Sequence, residues 1–181
     1  MLQTCAFAQA GSLYATLVRD HPDHPDAERW KVRRAAALFG QKRFADTLAA
    51  LEPVVASLKS PEAKAEALYL LGSSRLEEKQ YAAAVPTLEA ALAGQPRGPH
   101  ADHILLALGR AHLALAQTSG KTEHAQKGRE ALQRLIRDFP QSPLLDQAYY
   151  RLGQCALYQG EPRQAASEFG RVLAGWPQSP L

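Results

Sequence analysis

The stretch YYRLGQCALYQGEPRQAASEFGRVLAGWP, residues 149–177, decides the fold. Its apolar and small residues recur at three and four rather than at two: Tyr149, Leu152 and Gly153, then Ala165, Phe169 and Val172. That is the spacing of one face of an α-helix. Turn-forming residues Gln159 to Pro162 separate the two runs, and Pro177 closes the second. The segment therefore reads as two amphipathic helices folded into a hairpin. A lone hairpin cannot bury both apolar faces, so it needs neighbours of its own kind.

The rest of the chain supplies them. Tyr14, Leu51, Leu88, Leu132 and Phe169 are spaced 37, 37, 44 and 37 residues, and Leu17, Val54, Ala91, Leu135 and Val172 share that series. A third column holds mainly small residues, Ala10, Thr47, Ala84, Gly128 and Ala165, at the same intervals. Leu71-Gly72, Leu108-Gly109 and Leu152-Gly153 form a fourth, and Pro22, Pro96, Pro140 and Pro177 follow suit. Independent columns with one offset series mark a repeat array. Polar turns are expected at Gly40–Arg43, Glu77–Gln80 and Gln159–Pro162. Small residues in both helices, such as Gly72 with Ala84, predict close axes, with Leu88 or Phe169 packing between neighbouring units.

The interval of 44 carries seven extra residues around Thr118 to Glu123, close to two turns, which predicts one added turn on each helix of that hairpin. Pro53 and Pro86 fall inside second helices and predict a bend or a late start. Ser60-Pro61, Ser142-Pro143 and Ser179-Pro180 have Ser placed to cap a helix and Pro to fill its first turn. The last of these puts a helix start at the final residues, which reads as a piece of a longer protein.

The 181 residues are 46% apolar and 22% charged, enough for one sizeable core or several small ones. Lys+Arg 21 against Asp+Glu 18 gives a net charge of +3, far from the balance of a dedicated nucleic-acid binder. The longest apolar runs, such as Ile104 to Leu108, are too short to span a bilayer, so no membrane insertion is expected. Cys5 and Cys155 lie far apart with no CxxC spacing and read as two small buried thiols. Met1 to Ala10 lacks the basic start and cleavage site of a secretory signal, which leaves the compartment open.

Leu-Gly, then a small residue, then a large apolar one, then a terminal Pro resembles the tetratricopeptide repeat, most clearly in Tyr149, Leu152, Gly153, Ala165, Phe169, Val172 and Pro177. The resemblance covers nearly the whole chain. It implies an all-α, right-handed α-solenoid of antiparallel helical hairpins: a second helix at 8–22, then repeats at 27–61, 65–97, 102–141 (with the seven-residue insertion) and 146–178. The first departs most, with Arg34-Ala35 in place of Leu-Gly. The connectors Phe139-Pro140-Gln141-Ser142-Pro143 and Trp176-Pro177-Gln178-Ser179-Pro180 lengthen the unit beyond its usual size of about 34 residues. In this the chain is similar to a bacterial envelope subtype, the repeats of the Tol-Pal coordinator and of the outer-membrane assembly lipoproteins. That likeness implies a periplasmic or envelope-associated adaptor that binds protein or peptide and has no catalytic residues.

In such repeats the first helices line a concave groove, which here presents Arg33, Tyr69, Ser73, His103, Arg110, Tyr150, Arg151 and Gln154. Tyr and Arg are favoured anchors because they bring a large area or a rigid donor fork. Arg110 and Arg151 are suited to acidic side chains or a terminal carboxylate. The Lys and Asn pattern of the chaperone-tail clamp found in some tetratricopeptide proteins is absent from the sequence.

Two other clusters read more plainly as structure. Arg29, Lys31, Arg33, Arg34, Lys42 and Arg43 form a basic stripe with no interleaved aromatic platform, as a solvated helix face does. Asp20 to Asp26 gathers three carboxylates and two imidazoles but fits a connector in which Asp26 caps the next helix, so no metal is assigned. His100, His103 and His112 lack the i, i+4 pair with a nearby acid that a metal helix needs. No phosphate loop, nucleophile elbow, metalloprotease helix or dinucleotide fingerprint occurs, so neither a cofactor nor a reaction is expected. The reading is a protein-binding scaffold. The alternative is a structural spacer that self-associates through its terminal repeats.

Overall fold

A computed structural model describes residues 2–181, with side chains from residue 6 onward. Among the described residues every regular element is a helix, and the chain divides into two compact units, Met1–Pro96 and Arg97–Leu181. Cys5 lies outside the described side chains, as does the expectation that it is a buried thiol.

The first unit holds α1 (Leu2–Asp20), α2 (Ala27–Gly40), α3 (Phe44–Leu51), a short 3-10 turn (Val55–Ser57), α4 (Pro61–Glu77) and α5 (Tyr81–Gly94). Each of these helices packs on the next, and α2 also touches α4. Where α2, α3 and α4 meet lies a core of Val32, Ala35, Leu48, Leu51, Leu58, Ala67, Leu70 and Leu71. Ala35 takes the position that Gly72 holds one repeat later, and it is fully buried. The second unit is α6 (Ala101–Ser119), α7 (Thr122–Asp138), α8 (Leu145–Tyr158) and α9 (Pro162–Gly175). Here α7 packs on both α6 and α8, and α8 packs on α9.

The Leu-Gly column explains the pairing within each hairpin. A Cβ at Gly72 would stand 2.6 Å from Leu88 Cγ, one at Gly109 2.6 Å from Leu132, and one at Gly153 2.4 Å from Phe169. Each large residue of a second helix thus lies against the bare backbone of its own first helix. This corrects the expectation that Leu88 and Phe169 pack between units. The physical reason is that a glycine opens a hole one side chain deep, and the nearest residue able to fill it is on the helix just across the turn.

The prolines behave differently from expectation. Pro53 ends α3 at Leu51 instead of bending it, since its ring nitrogen has no proton for the Ala49 carbonyl. Pro86 neither delays nor interrupts α5, which starts at Tyr81. Both Pro86 and Ala82, whose carbonyl loses its partner, are exposed, so water can serve that oxygen. Ser60 caps α4 by accepting from the Ala63 N–H at 3.2 Å, with Pro61 in the first turn. Ser142 does not cap α8: that helix starts at Leu145, and the Ser142 hydroxyl donates to Asp102 at 2.7 Å. Asp26 sits at the start of α2 without a side-chain capping bond, its own N–H being held by His24 Nδ1 at 3.1 Å.

α6 and α7 have 19 and 17 residues where α8 and α9 have 14 each. The longer interval is thus carried as helix, about one turn on each arm, rather than as a loop.

Candidate functional site

Three of the eight groove candidates lie in the first unit. Arg33 on α2 is neutralised by Glu66 on α4 at 2.9 Å, and Glu66 is largely withdrawn from solvent. Tyr69 is half-buried with its ring 6.3 Å from that of Phe39. Ser73 departs from the accessible face expected of it. It is 7% exposed, because it falls in the buried run Leu70 to Ser74, where α4 carries small and apolar residues on consecutive faces.

The other five are in the second unit, where α6 touches α8. α6 carries His103, which is exposed, and Arg110, which is half-buried; α8 carries Tyr150, Arg151 and Gln154, all half-buried. Arg151 Nη1 donates to Gln154 Oε1 at 2.8 Å, and its guanidinium stands 5.6 Å from the centre of the Tyr150 ring. Tyr150 leans in turn on Phe169, 5.6 Å away, so the aromatic support is anchored to α9. Burial holds the Arg151 guanidinium below the usual arginine range, and the charge of Arg110 adds to the effect.

Arg151 differs from the other inward-lying arginines. Arg129 donates to Gln159 at 2.9 Å and to Glu161 at 2.6 Å, and Arg75 to Thr87 at 2.6 Å and Glu52 at 3.0 Å. Those two tie helices together through a carboxylate. Among the described residues no carboxylate pairs with Arg151, so its planar fork keeps donors for an incoming acceptor. Arg110 lies near enough for its charge to be felt at Arg151, and the Tyr150 ring walls one side.

The basic stripe and the Asp20 to Asp26 connector both contain paired charges. Arg43 pairs with Asp46 at 2.7 Å, which with Arg33–Glu66 takes two charges out of the basic stripe. In the Asp20 to Asp26 connector, His24 stacks on Trp30 at 4.4 Å and Asp20 pairs with Arg19. Among the described residues no three His, Cys, Asp or Glu side chains come together as metal ligands would, and no helix is long and apolar enough to cross a membrane.

The pairing of a buried histidine, His112, with a half-buried one, His124, escaped sequence reasoning. His112 on α6 is 5% exposed and lies 5.6 Å from the ring of His124 on α7, and the Nδ1 atom of each has no hydrogen-bond partner among the described residues. Burial, then His124 and Lys127, push His112 down to about 4. His112 and His124 are twelve apart in sequence, and only the hairpin brings them together. Cys155 is fully buried and its thiol is pushed up to about 11 by burial, which makes it unreactive.

Comparison with known proteins bears on the family and the fold. Residues 61–180 match the YfiO family, described as outer membrane lipoprotein. No curated protein is significantly similar in sequence. Among solved structures, the chain is similar to a MamA RS-1 ArsTM double mutant, at 21% identity and a TM-score of 0.75, covering 96% of this chain and 86% of that one. It is similar to MamA 41-end from Desulfovibrio magneticus RS-1, at 20% identity and a TM-score of 0.68, covering 95% and 98%. It also resembles a Podosopora anserina putative kinesin light chain with nearly identical TPR-like repeats, at 18% identity and a TM-score of 0.67, covering 96% and 88%. At these identities the likeness is one of fold, and the fold is that of tetratricopeptide-like helical repeats.

Proposed function

This chain belongs to the YfiO outer membrane lipoprotein family, and from that premise we propose that it is a non-catalytic scaffold that binds a peptide or partner protein on the exposed face of its first helices. Repeats of this kind are typically protein-interaction scaffolds, and the family is generally non-catalytic. The contact face is assigned to Arg110, Tyr150, Arg151 and Gln154 in the second unit, with His103 at its edge. The observation that carries the reading is Arg151: a half-buried guanidinium, supported by Tyr150 and Gln154, without a carboxylate of its own. A half-buried cation supplied with hydrogen-bonding support but no carboxylate is poised for an anionic partner. The ligand is accordingly an acidic stretch or a chain terminus, and the family description favours the bacterial envelope as the place of encounter.

The test is affinity capture from envelope and cytosolic extracts on the wild-type chain and on a variant with Arg110, Tyr150 and Arg151 changed to Ala. A protein retained by the wild type and lost from the variant, with both chains equally helical, supports the assignment. Equal recovery on both overturns it.

A further inference from the structure

His112 of α6 and His124 of α7 do not form the i, i+4 pair of a metal helix; the hairpin brings them together instead. Their ring centres stand 5.6 Å apart, with the ring planes inclined by 26°. His112 is 5% exposed and His124 half-buried. In both rings Nδ1 is shut off from solvent and has no hydrogen-bond partner among the described residues. An unmet buried nitrogen is costly, and two beside one another, held by different helices, suit one shared partner.

The surroundings narrow the chemistry of that partner. Burial, with the charges of His124 and Lys127, holds His112 neutral down to about 4, and neutral imidazole is the form that ligates metal. From α7, Glu123 and Glu130 favour positive charge at His112, while Lys127 opposes it. α8 contributes Cys155: a Cβ at Gly128 would lie 3.3 Å from His112 Cβ and 3.6 Å from Cys155 Sγ. Burial keeps that thiol protonated, whereas a metal ligand is a thiolate. Since no three candidate ligands gather among the described residues, the donors are the two imidazoles. Their separation fits. Two imidazoles on one ion at about 2.0–2.1 Å, at an angle between tetrahedral and linear, place their ring centres roughly 5–6.5 Å apart.

We propose that His112 and His124 form a two-histidine site for a borderline divalent cation of the zinc and copper class, with water completing its coordination on the half-exposed side of His124. Imidazole suits these ions and does not suit magnesium or calcium, which take oxygen ligands. Bound there, the ion ties α6 to α7 and stabilises the folded hairpin by mass action. The site shares no residue with the face that carries Arg110 and Arg151.

The probes are Zn2+, Cu2+ and, for comparison, Mg2+, each titrated into the intact chain at neutral pH by calorimetry, with thermal melts alongside. The expected result is one equivalent of Zn2+ or Cu2+ bound, a melting temperature that rises with its concentration, and no response to Mg2+. His112→Gln and His124→Gln are each expected to weaken binding about tenfold or more and to abolish the rise. His124 is half-buried and Gln keeps a polar side chain there, so that variant stays folded and carries the test if His112→Gln does not fold. His24→Gln, in the exposed connector, is expected to bind as the wild type does. No binding of either ion overturns the proposal, as does equal binding by the wild type and His124→Gln. Loss of binding in His24→Gln also overturns it, by placing the ion on the surface.

Discussion

A missing Cβ at Gly72, Gly109 and Gly153 lets Leu88, Leu132 and Phe169 lie against the backbone of the helix they fold back on. Filling that space is costly. Gly109→Val places atoms where Leu132 already is and is expected to lower unfolding free energy by about 1–3 kcal/mol in denaturant titration. Leu88→Ala, which empties the equivalent space, is expected to cost about 2–5 kcal/mol. Combining Gly109→Val with Leu132→Ala should cost less than the sum of the two, since one change relieves the other. The columns that carry these pairs were legible in the sequence because a glycine and a large residue recur at one interval. Their direction was not, since an interval does not say which neighbour fills the hole. His112 illustrates the same limit, and it makes a second prediction. Its folded form favours the neutral imidazole, at about 4 against an ordinary 6.5, so the unfolded chain takes up the proton first as pH falls. Stability is therefore full above about pH 6.5 and is lost progressively toward pH 4. Thermal melts across that range should show the loss, and His112→Phe should flatten it.

At the scale of elements, three of the turns between paired helices, α2–α3, α4–α5 and α8–α9, share one geometry. Lys42 and Lys79 have φ of 59° and 60°, and Gly160 has 76°. In each, the following N–H reaches back five residues: Arg43 to Leu38 at 3.0 Å, Gln80 to Arg75 at 2.8 Å and Glu161 to Ala156 at 2.9 Å. This is the left-handed helix stop that glycine adopts without strain, and a lysine there loses about 1 kcal/mol to its Cβ. Lys79→Gly is accordingly expected to raise stability by about 1 kcal/mol and Gly160→Lys to lower it by a similar amount, both read from chemical melts. Helix periods and turn positions were legible because apolar spacing and polar breaks coincide. The ends were less so: Ser142 and Asp26 look like caps in sequence, but one is bonded to Asp102 and the other is left without a side-chain capping bond. A capping residue competes with every other partner in reach, and those partners come from distant elements.

On the scale of the whole molecule, the repeat fold carries a candidate site whose chemistry turns on one guanidinium without a carboxylate. Seven of the eight candidate residues keep some exposure, and only Ser73 is buried. What the sequence could not show is pairing. Arg33 and Arg151 look alike in sequence, yet Glu66 occupies the first and no described carboxylate occupies the second. An anion-binding face built on Arg110 and Arg151 also implies that affinity falls as salt rises, an effect measurable by titration at increasing ionic strength. The most direct measurement is calorimetric titration of peptides selected by display on the wild-type chain, repeated on the Arg110→Ala/Arg151→Ala variant. The account predicts peptides with acidic residues or a required free carboxyl terminus, bound about tenfold or more weakly by a variant that melts at the wild-type temperature. Peptides without negative charge, or equal affinity for both chains, would contradict it.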